Sequence, residues 1–477
     1  MEKQKNELLK DPCFAPLLTN DNASVSEWGI FGAHDPSMVY ADGAYYVFST
    51  GTYGQNYYQI RKSEDLIRWE YIGQAFPRGI RASLSPVLSE MEECGARCCN
   101  DTLWAPDIVR GADGKYWLYG CYSAEFGKNH SGIFLAKSER VDGEYSLVSP
   151  LVTTGGRWGE TPNAIDAQIF YDGHKMYMTY GSFFGGIRIL ELDPATGLRK
   201  DGFTFSQHRA GEISDEEYYG KALVASDDQE GSVVAVKEVP VFSGDVFREE
   251  YMPQRVRLFS LVTSADSLFT RYNMRLFTST KAEQDYMRPP YGARGVKLSS
   301  SFSWKRDAGD GSVGYDFFAS GHCDLFETPD GRDLIVYHDR TPSGGRFHYL
   351  FLSLYAYNVR GEIVMSPNRY AGERLRPIGF GELAGQKFDY IALGEENDKT
   401  VYAKQGLEFQ ENGALAVGGR VRGKWKLYGE YFVSFTLDGE IYHGAAMPAW
   451  IERERRGGIT VSARGENGLP FFLNLAR

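Results

Sequence analysis

The sequence predicts an all-β chain: a five-bladed β-propeller followed by a small C-terminal β-barrel or β-sandwich. Two observations carry this expectation. A phrase recurs five times, made of a polar tetrad, a short apolar run, a turn, and a Tyr/Phe-rich run ending near Gly or Ser. Repeats of this length indicate a closed array of blades, because one such unit cannot bury its own apolar face. Helical periodicity is also nearly absent, and the apolar runs are short and aromatic, with 31 Tyr and 29 Phe in 477 residues, a usage that suits strands.

The first copy opens at His34-Asp35-Pro36-Ser37 and shows the unit best. The runs MVYAD, AYYVFSTG, YYQIRKS and WEYIGQAF give four strands, with Ala41-Asp42-Gly43 as the first hairpin turn. The second copy opens at Ala105-Pro106-Asp107, the third at Ala164-Ile165-Asp166-Ala167 and the fifth at Gly321-His322-Cys323-Asp324. Each has its own Asp-Gly turn, at 113–114, 172–173 and 330–331. The fourth, Gln229-Glu230-Gly231-Ser232, lacks that turn; the polar stretch KEVPVFSGDVFREEYMPQ predicts a lengthened hairpin at the rim. From about residue 375 the phrase gives way to short alternating runs such as KWKLYGEYFVSFTL and GITVSARG. The division is therefore expected as 1–372 for the propeller and 373–477 for a second all-β domain.

Composition narrows the function. With 52 Lys and Arg against 63 Asp and Glu, the net charge of −11 disfavours nucleic acid and anionic membrane surfaces as partners. No run is long enough to span a bilayer. The opening MEKQKNELLKDPCF has charge without an apolar stretch, from which a cytoplasmic location is expected if Met1 is the natural start. Six cysteines are too few for a disulfide scaffold. Cys94, Cys98 and Cys99 lie in ECGARCCN with no His or second CxxC pair nearby, so loop thiols are expected there rather than zinc. Oligomeric state has no signature in this sequence.

In a propeller the first strand of each blade lines the channel and opens on one face, so residues at matching positions converge there. Asp35, Asp166 and Glu230 are thus expected in one pocket. An Asp before Pro can simply cap a turn, but three carboxylates at repeat positions make three separate caps the poorer explanation. Carboxylates without a Cys/His cluster, a Ser-His-Asp set or a phosphate loop suit acid/base chemistry on a neutral substrate. Glycoside hydrolysis needs this equipment: one acid to protonate the leaving oxygen and one carboxylate to activate water.

The phrases GAHDPSMVY, LWAPDI, NAIDAQIFYD, YGSFFGGI, QEGS, SGHCDLF with VYHDR, and MSPNRYAGE before LRPIG together resemble glycoside hydrolase family 43, in particular endo-1,5-α-L-arabinanases with a C-terminal β-domain. The resemblance implies an inverting hydrolase of arabinan or arabino-oligosaccharides, with Asp35 as general base, Glu230 as general acid and Asp166 orienting the acid and raising its pKa. It implies substrate contacts at His34, Trp104, Asn163, Ser182 and Phe184, the last standing where the family commonly has Trp. It also implies a calcium ion near His322, held largely through water, although Cys323 replaces the usual Asn. Glu238, Asp227 and Asp228 are rivals for the acid, and Asp107 reads as a turn or brace. An exo-acting arabinofuranosidase or β-xylosidase of the same family shares the three carboxylates, and a non-catalytic carbohydrate-binding propeller shares the fold.

Overall fold

A computed structural model describes residues 9–12, 29–51, 57–98, 102–155, 161–304, 316–340, 348–396, 400–401 and 403–476. Five four-stranded antiparallel sheets follow one another along the chain, each running from the axis outward. Their innermost strands are His34–Ala41, Leu103–Arg110, Gln168–Asp172, Gln229–Val241 and Gly321–Glu327. These touch in ring order, the fifth returning to the first, so the sheets form the expected five-bladed propeller.

Blade 1 shows how sequence becomes sheet. Its strands His34–Ala41, Ala44–Thr50, Tyr58–Ser63 and Glu70–Gln74 coincide with the four aromatic runs, and Asp42 and Gly43 take the positive φ angles (49° and 82°) that a two-residue hairpin requires. The ring is closed by the segment just before it. Leu350 N donates to Ile30 O and Gly32 N to His348 O, each at 2.8 Å, so residues 30–32 complete the outer strand of blade 5. Arg61, fully buried, pins this segment by donating to the carbonyls of Gly29 (2.8 Å) and Phe31 (2.5 Å).

The lengthened hairpin of copy four is present, its strands Gln229–Val241 and Gln254–Ala265 being the longest in the propeller. Its tip packs on the second domain: Phe242 and Val246 cluster with Tyr428 and Phe432, and Lys426 Nζ donates to Val246 O at 2.7 Å. One element departs from the sequence reading. A helix, Ile80–Glu93, joins blades 1 and 2 and buries Ile80, Leu84, Val87, Leu88 and Met91 at helical spacing, despite Pro86 and a kink at Leu84. Two shorter helices in blade 3, Phe205–Arg209 and Asp215–Tyr219, each start with a capping box.

The second domain is a closed barrel of eight strands, from Gln386–Ala392 to Pro470–Leu475, which pair with each other to close it. Phe388, Phe409, Trp425, Phe435 and Phe471 fill its core. It is tied to the propeller by a buried Arg369–Glu452 pair at 3.0 Å and by reciprocal amide bonds between Asn368 and Asn474. No helix among the described residues is long and apolar enough to cross a membrane.

Candidate active site

Each blade opens with the same distortion. A residue with left-handed backbone stands near the start of every innermost strand: Asp35 (φ 50°), Ala105 (40°), Asp166 (60°), Gly231 (57°) and His322 (43°). In four of the blades strand register slips across this residue, as at a bulge that re-aims a side chain. A non-glycine residue in this region is strained by roughly 1–3 kcal/mol, so the surrounding sheets must impose it. Blade 4 is the exception. A Cβ on Gly231 would lie 3.0 Å from the His322 ring, so glycine takes the position and the acidic residue, Glu230, precedes it by one. The matching counterpart of Asp35 in blade 2 is Ala105 rather than Asp107, which corrects the alignment made from sequence.

Two residues past the left-handed position in blades 1, 2, 3 and 5 lies a clasp between blades. Ser37 Oγ accepts from Ile108 N (3.2 Å), Asp107 Oδ2 from Ile169 N (2.8 Å), Gln168 Oε1 from Val234 N (3.1 Å), and Asp324 Oδ2 from Met38 N (2.8 Å). Asp107 is thus a brace. Below the clasps the channel widens to a cavity of about 270 Å³, lined in part by Asp107, Gln168 and Asp324.

Above the clasps the three carboxylates gather around His322. Asp35 Oδ1 lies 3.0 Å from His322 Nδ1, and Asp35 Oδ2 accepts from Thr50 Oγ1 at 2.8 Å. Burial alone would raise the Asp35 pKa, but the charge of His322, helped by His34 and His338, holds it well below the usual carboxylate value. His322 responds in kind. Burial opposes its charge, yet Asp35, Asp166 and Glu230 raise it to about 9, so it is a cation at neutral pH.

Glu230 and Asp166 behave differently. Burial raises Glu230, against the opposing hydrogen bonds of Tyr272 and Ser182 and the charge of His322. Burial raises Asp166 to about 7, with Glu230 and Asp35 adding repulsion. Asp166 Oδ2 accepts the Gly231 N–H at 3.1 Å, a donor that cannot reverse and so favours the anion. Among the described residues the partners of the Glu230 carboxyl are hydroxyls, Tyr272 Oη at 2.5 Å and Ser182 Oγ at 2.8 Å, which can rotate to accept. A proton therefore sits on Glu230.

The other expected residues divide. Ser182 joins the centre, and Trp104 adjoins it, since Ala105 N donates to the Thr50 hydroxyl that serves Asp35 (2.8 Å). His34 Nε2 comes within 3.0 Å of Asp35 Oδ1. Asn163 is turned into packing and accepts from Ser131 Oγ at 2.8 Å, while Phe184 is only 6% exposed and offers little face to a ligand. Glu238 is exposed along its strand beside Arg255, Asp227 accepts from Gly185 N, and Asp228 pairs with Arg294; none joins the cluster. Cys94 caps the helix, Cys98 is buried beside it, and Cys99 lies outside the described residues.

Thr50, Tyr272, His338 and His348 belong to the site but were not singled out from sequence. Their signal was weak: VYHDR contains His338, while Thr50 and Tyr272 end or follow ordinary strands. His34, His338 and His348 bring ring nitrogens within 4.8 Å of one another, and burial keeps His34 and His338 neutral, near 3 and 4. His34 and His348 stack face to face at 3.9 Å with 9° between planes. Their in-plane lone pairs run parallel and do not converge on one ion, so this group packs around the base.

Calcium takes roughly six to eight oxygen ligands. Among the described residues the carboxylates gathered at His322 are the three already engaged, so the residues fit an ion that takes the place of the proton on the second ring nitrogen of His322, with water completing its shell. A histidine backed by a carboxylate at its other nitrogen is the usual arrangement at metals.

Comparison with known proteins accords with this geometry. Residues 31–219 match the glycosyl hydrolases family 43, and residues 367–473 match a C-terminal lipocalin-like domain. An extracellular endo-α-(1→5)-L-arabinanase of Thermotoga petrophila is 27% identical over 95% of both chains. The chain belongs to glycosyl hydrolase family 43. A second relative, extracellular endo-α-(1→5)-L-arabinanase 2 of Bacillus subtilis, is 26% identical over 96% of this chain and 97% of its own. The crystal structure of endo-1,5-α-L-arabinanase from Thermotoga petrophila superposes with a TM-score of 0.74 at 25% identity, covering 94% of this chain and 98% of that one. As a family 43 member the protein is a glycoside hydrolase. The cytoplasmic location expected from the N-terminal stretch does not stand, because both relatives are named as extracellular; a charged opening stretch carries no address of its own.

Proposed function

We propose that this family 43 hydrolase cleaves α-1,5-linked L-arabinan and arabino-oligosaccharides in the endo manner, with inversion at the anomeric carbon. The observation that carries the reading is the unequal surroundings of the carboxylates: Asp35 lies 3.0 Å from the ring of His322, which holds its pKa low, whereas Glu230 is buried against the hydroxyls of Tyr272 and Ser182 and is pushed up. The two relatives named as endo-arabinanases supply the substrate class.

Asp35 accepts a proton from the attacking water, with Thr50 and His322 fixing its two oxygens. Glu230 gives its proton to the leaving glycosidic oxygen, and Tyr272 and Ser182 hold its carboxyl in place. Asp166 stays anionic, keeps the proton on Glu230 by repulsion, and is itself held by the Gly231 amide. Inversion requires the acid and base to stand about 6.5–9.5 Å apart, with room for the water between base and sugar. Trp104, next in the chain to Ala105 whose amide donates to Thr50, is the residue proposed to wall the sugar beside the base. A calcium ion would displace the proton on the second ring nitrogen of His322 and supply in its place the positive charge beside Asp35.

Hydrolysis of linear arabinan by the wild type, Asp35→Ala and Glu230→Gln, each with and without a calcium chelator, tests the assignment. Both substitutions are expected to lower kcat by roughly 100-fold or more, and chelation to lower wild-type activity until calcium is returned. Near-normal turnover by Asp35→Ala would sink the base assignment, and indifference to the chelator would remove the calcium.

A further inference from the structure

Phe269 and Phe126 are 53% and 64% exposed, yet their rings lie 5.9 Å apart at 66°. They come from blades that are not neighbours. Phe126 is in the blade 2 loop after Tyr116–Ser123, and Phe269 in the blade 4 loop after Gln254–Ala265. The contact therefore crosses in front of all of blade 3. On the far side Phe126 meets Trp104, with centroids 6.2 Å apart.

The loop bearing Phe269 is anchored at both its base and its tip. Asn273 Nδ2 donates to Ala265 O (3.1 Å), Asp266 Oδ2 (2.8 Å) and Arg271 O (3.0 Å). Arg340, from blade 5, donates to Leu268 O at 2.9 Å and sets its guanidinium 5.1 Å from the Phe269 ring centre. A phenyl ring half in water adds little to a core, so two sets of anchors holding one in place point to a ligand-facing role. The same loop leads into Tyr272, whose hydroxyl holds Glu230 at 2.5 Å. Phe269 thus stands on the acid's side of the centre, where the leaving group must lie.

We propose that Phe269 is a specificity-determining residue: a fixed wall that meets Phe126 and closes the face between blades 2 and 4, limiting how much arabinan chain extends on the leaving-group side of the cleaved bond. The proposal rests on the arabinanase reading. The wall leaves the acid and base untouched and governs which bonds of a long chain reach them. Short leaving groups fit beneath it; long ones must bend around it.

The test compares wild type, Phe269→Ala and Phe269→Trp on linear arabinan, measuring viscosity loss per reducing end released and the sizes of early products. Removing the wall is expected to raise viscosity loss per cleavage by roughly fivefold, within the range of one aromatic contact, and to lengthen the early products; Phe269→Trp keeps the wild-type pattern. An unchanged pattern in Phe269→Ala overturns the proposal. So does equal loss of all activity with a lowered Tm, which would make the contact a strut. If the wild type releases nothing from arabinan, the arabinanase reading fails and the wall falls with it.

Discussion

The charge on a carboxyl in this site is decided by what its partners can do. Asp35 faces a histidine that its own charge keeps protonated, whereas Glu230 faces two hydroxyls that tolerate either state. The proton on Glu230, whose pKa burial raises, should set the alkaline limb of kcat/KM above the ordinary glutamate range. Tyr272 lowers the Glu230 pKa by donating to the anion. Tyr272→Phe keeps the ring stacked on His338 but removes that donor, so the acid holds its proton longer and the limb moves to higher pH. A pH–rate profile checks this; a limb that stays put or moves down would mean Tyr272 does not tune the acid.

At the level of elements, legibility followed period. Blade 1 could be counted strand by strand because alternating aromatic runs and the Asp42-Gly43 turn agree with each other. The helix Ile80–Glu93 was missed although its buried residues keep helical spacing, because Pro86 and the polar residues around it mask the pattern. The position of Glu230 was misjudged by one because a bulge is invisible to alignment by words; the reason for the shift, the ring of His322 against Gly231, comes from another blade. His338 and His348 lie on two strands of blade 5 and meet His34 of blade 1 only when the ring closes. The joint between domains was equally hidden. Arg369 and Glu452 are 4% and 1% exposed, and Glu452 also accepts from the Arg369 N–H. Removing one partner of a buried pair typically costs about 3–5 kcal/mol. Glu452→Ala should therefore lower the urea midpoint markedly, while a shift within error would show that the pair is not an anchor.

Over the whole molecule, buried groups with displaced pKa values make stability depend on pH in a definite direction. Burial raises Asp107 to about 6, Asp324 to about 7 and Glu373 to about 8. Each binds its proton more tightly folded than unfolded, so its contribution is full below the unfolded pKa and is lost as pH rises to the folded one. Burial lowers His34, His338 and His443 to about 3, 4 and 4. Their contribution is present above about 6.5 and lost as pH falls. The two trends cross near neutrality. Above pH 6.5 the raised carboxylates and His322 all give up protons that the folded state holds more tightly, so stability should decline towards pH 8.5. A Tm that rises across that window would contradict the burial of Glu373 and Asp324 as ionisable groups.

On the proposed reading the chemistry reduces to a base, Asp35, whose histidine partner holds its pKa low, and an acid, Glu230, whose pKa burial raises, both set at the distorted starts of innermost strands. The most direct measurement is proton NMR of linear arabinan during its first minutes of hydrolysis. Inversion by Asp35 and Glu230 predicts that the new reducing ends appear first as the β-anomer and then mutarotate. First appearance of the α-anomer would require a covalent intermediate and would contradict the assignment of Asp35 as a base acting through water.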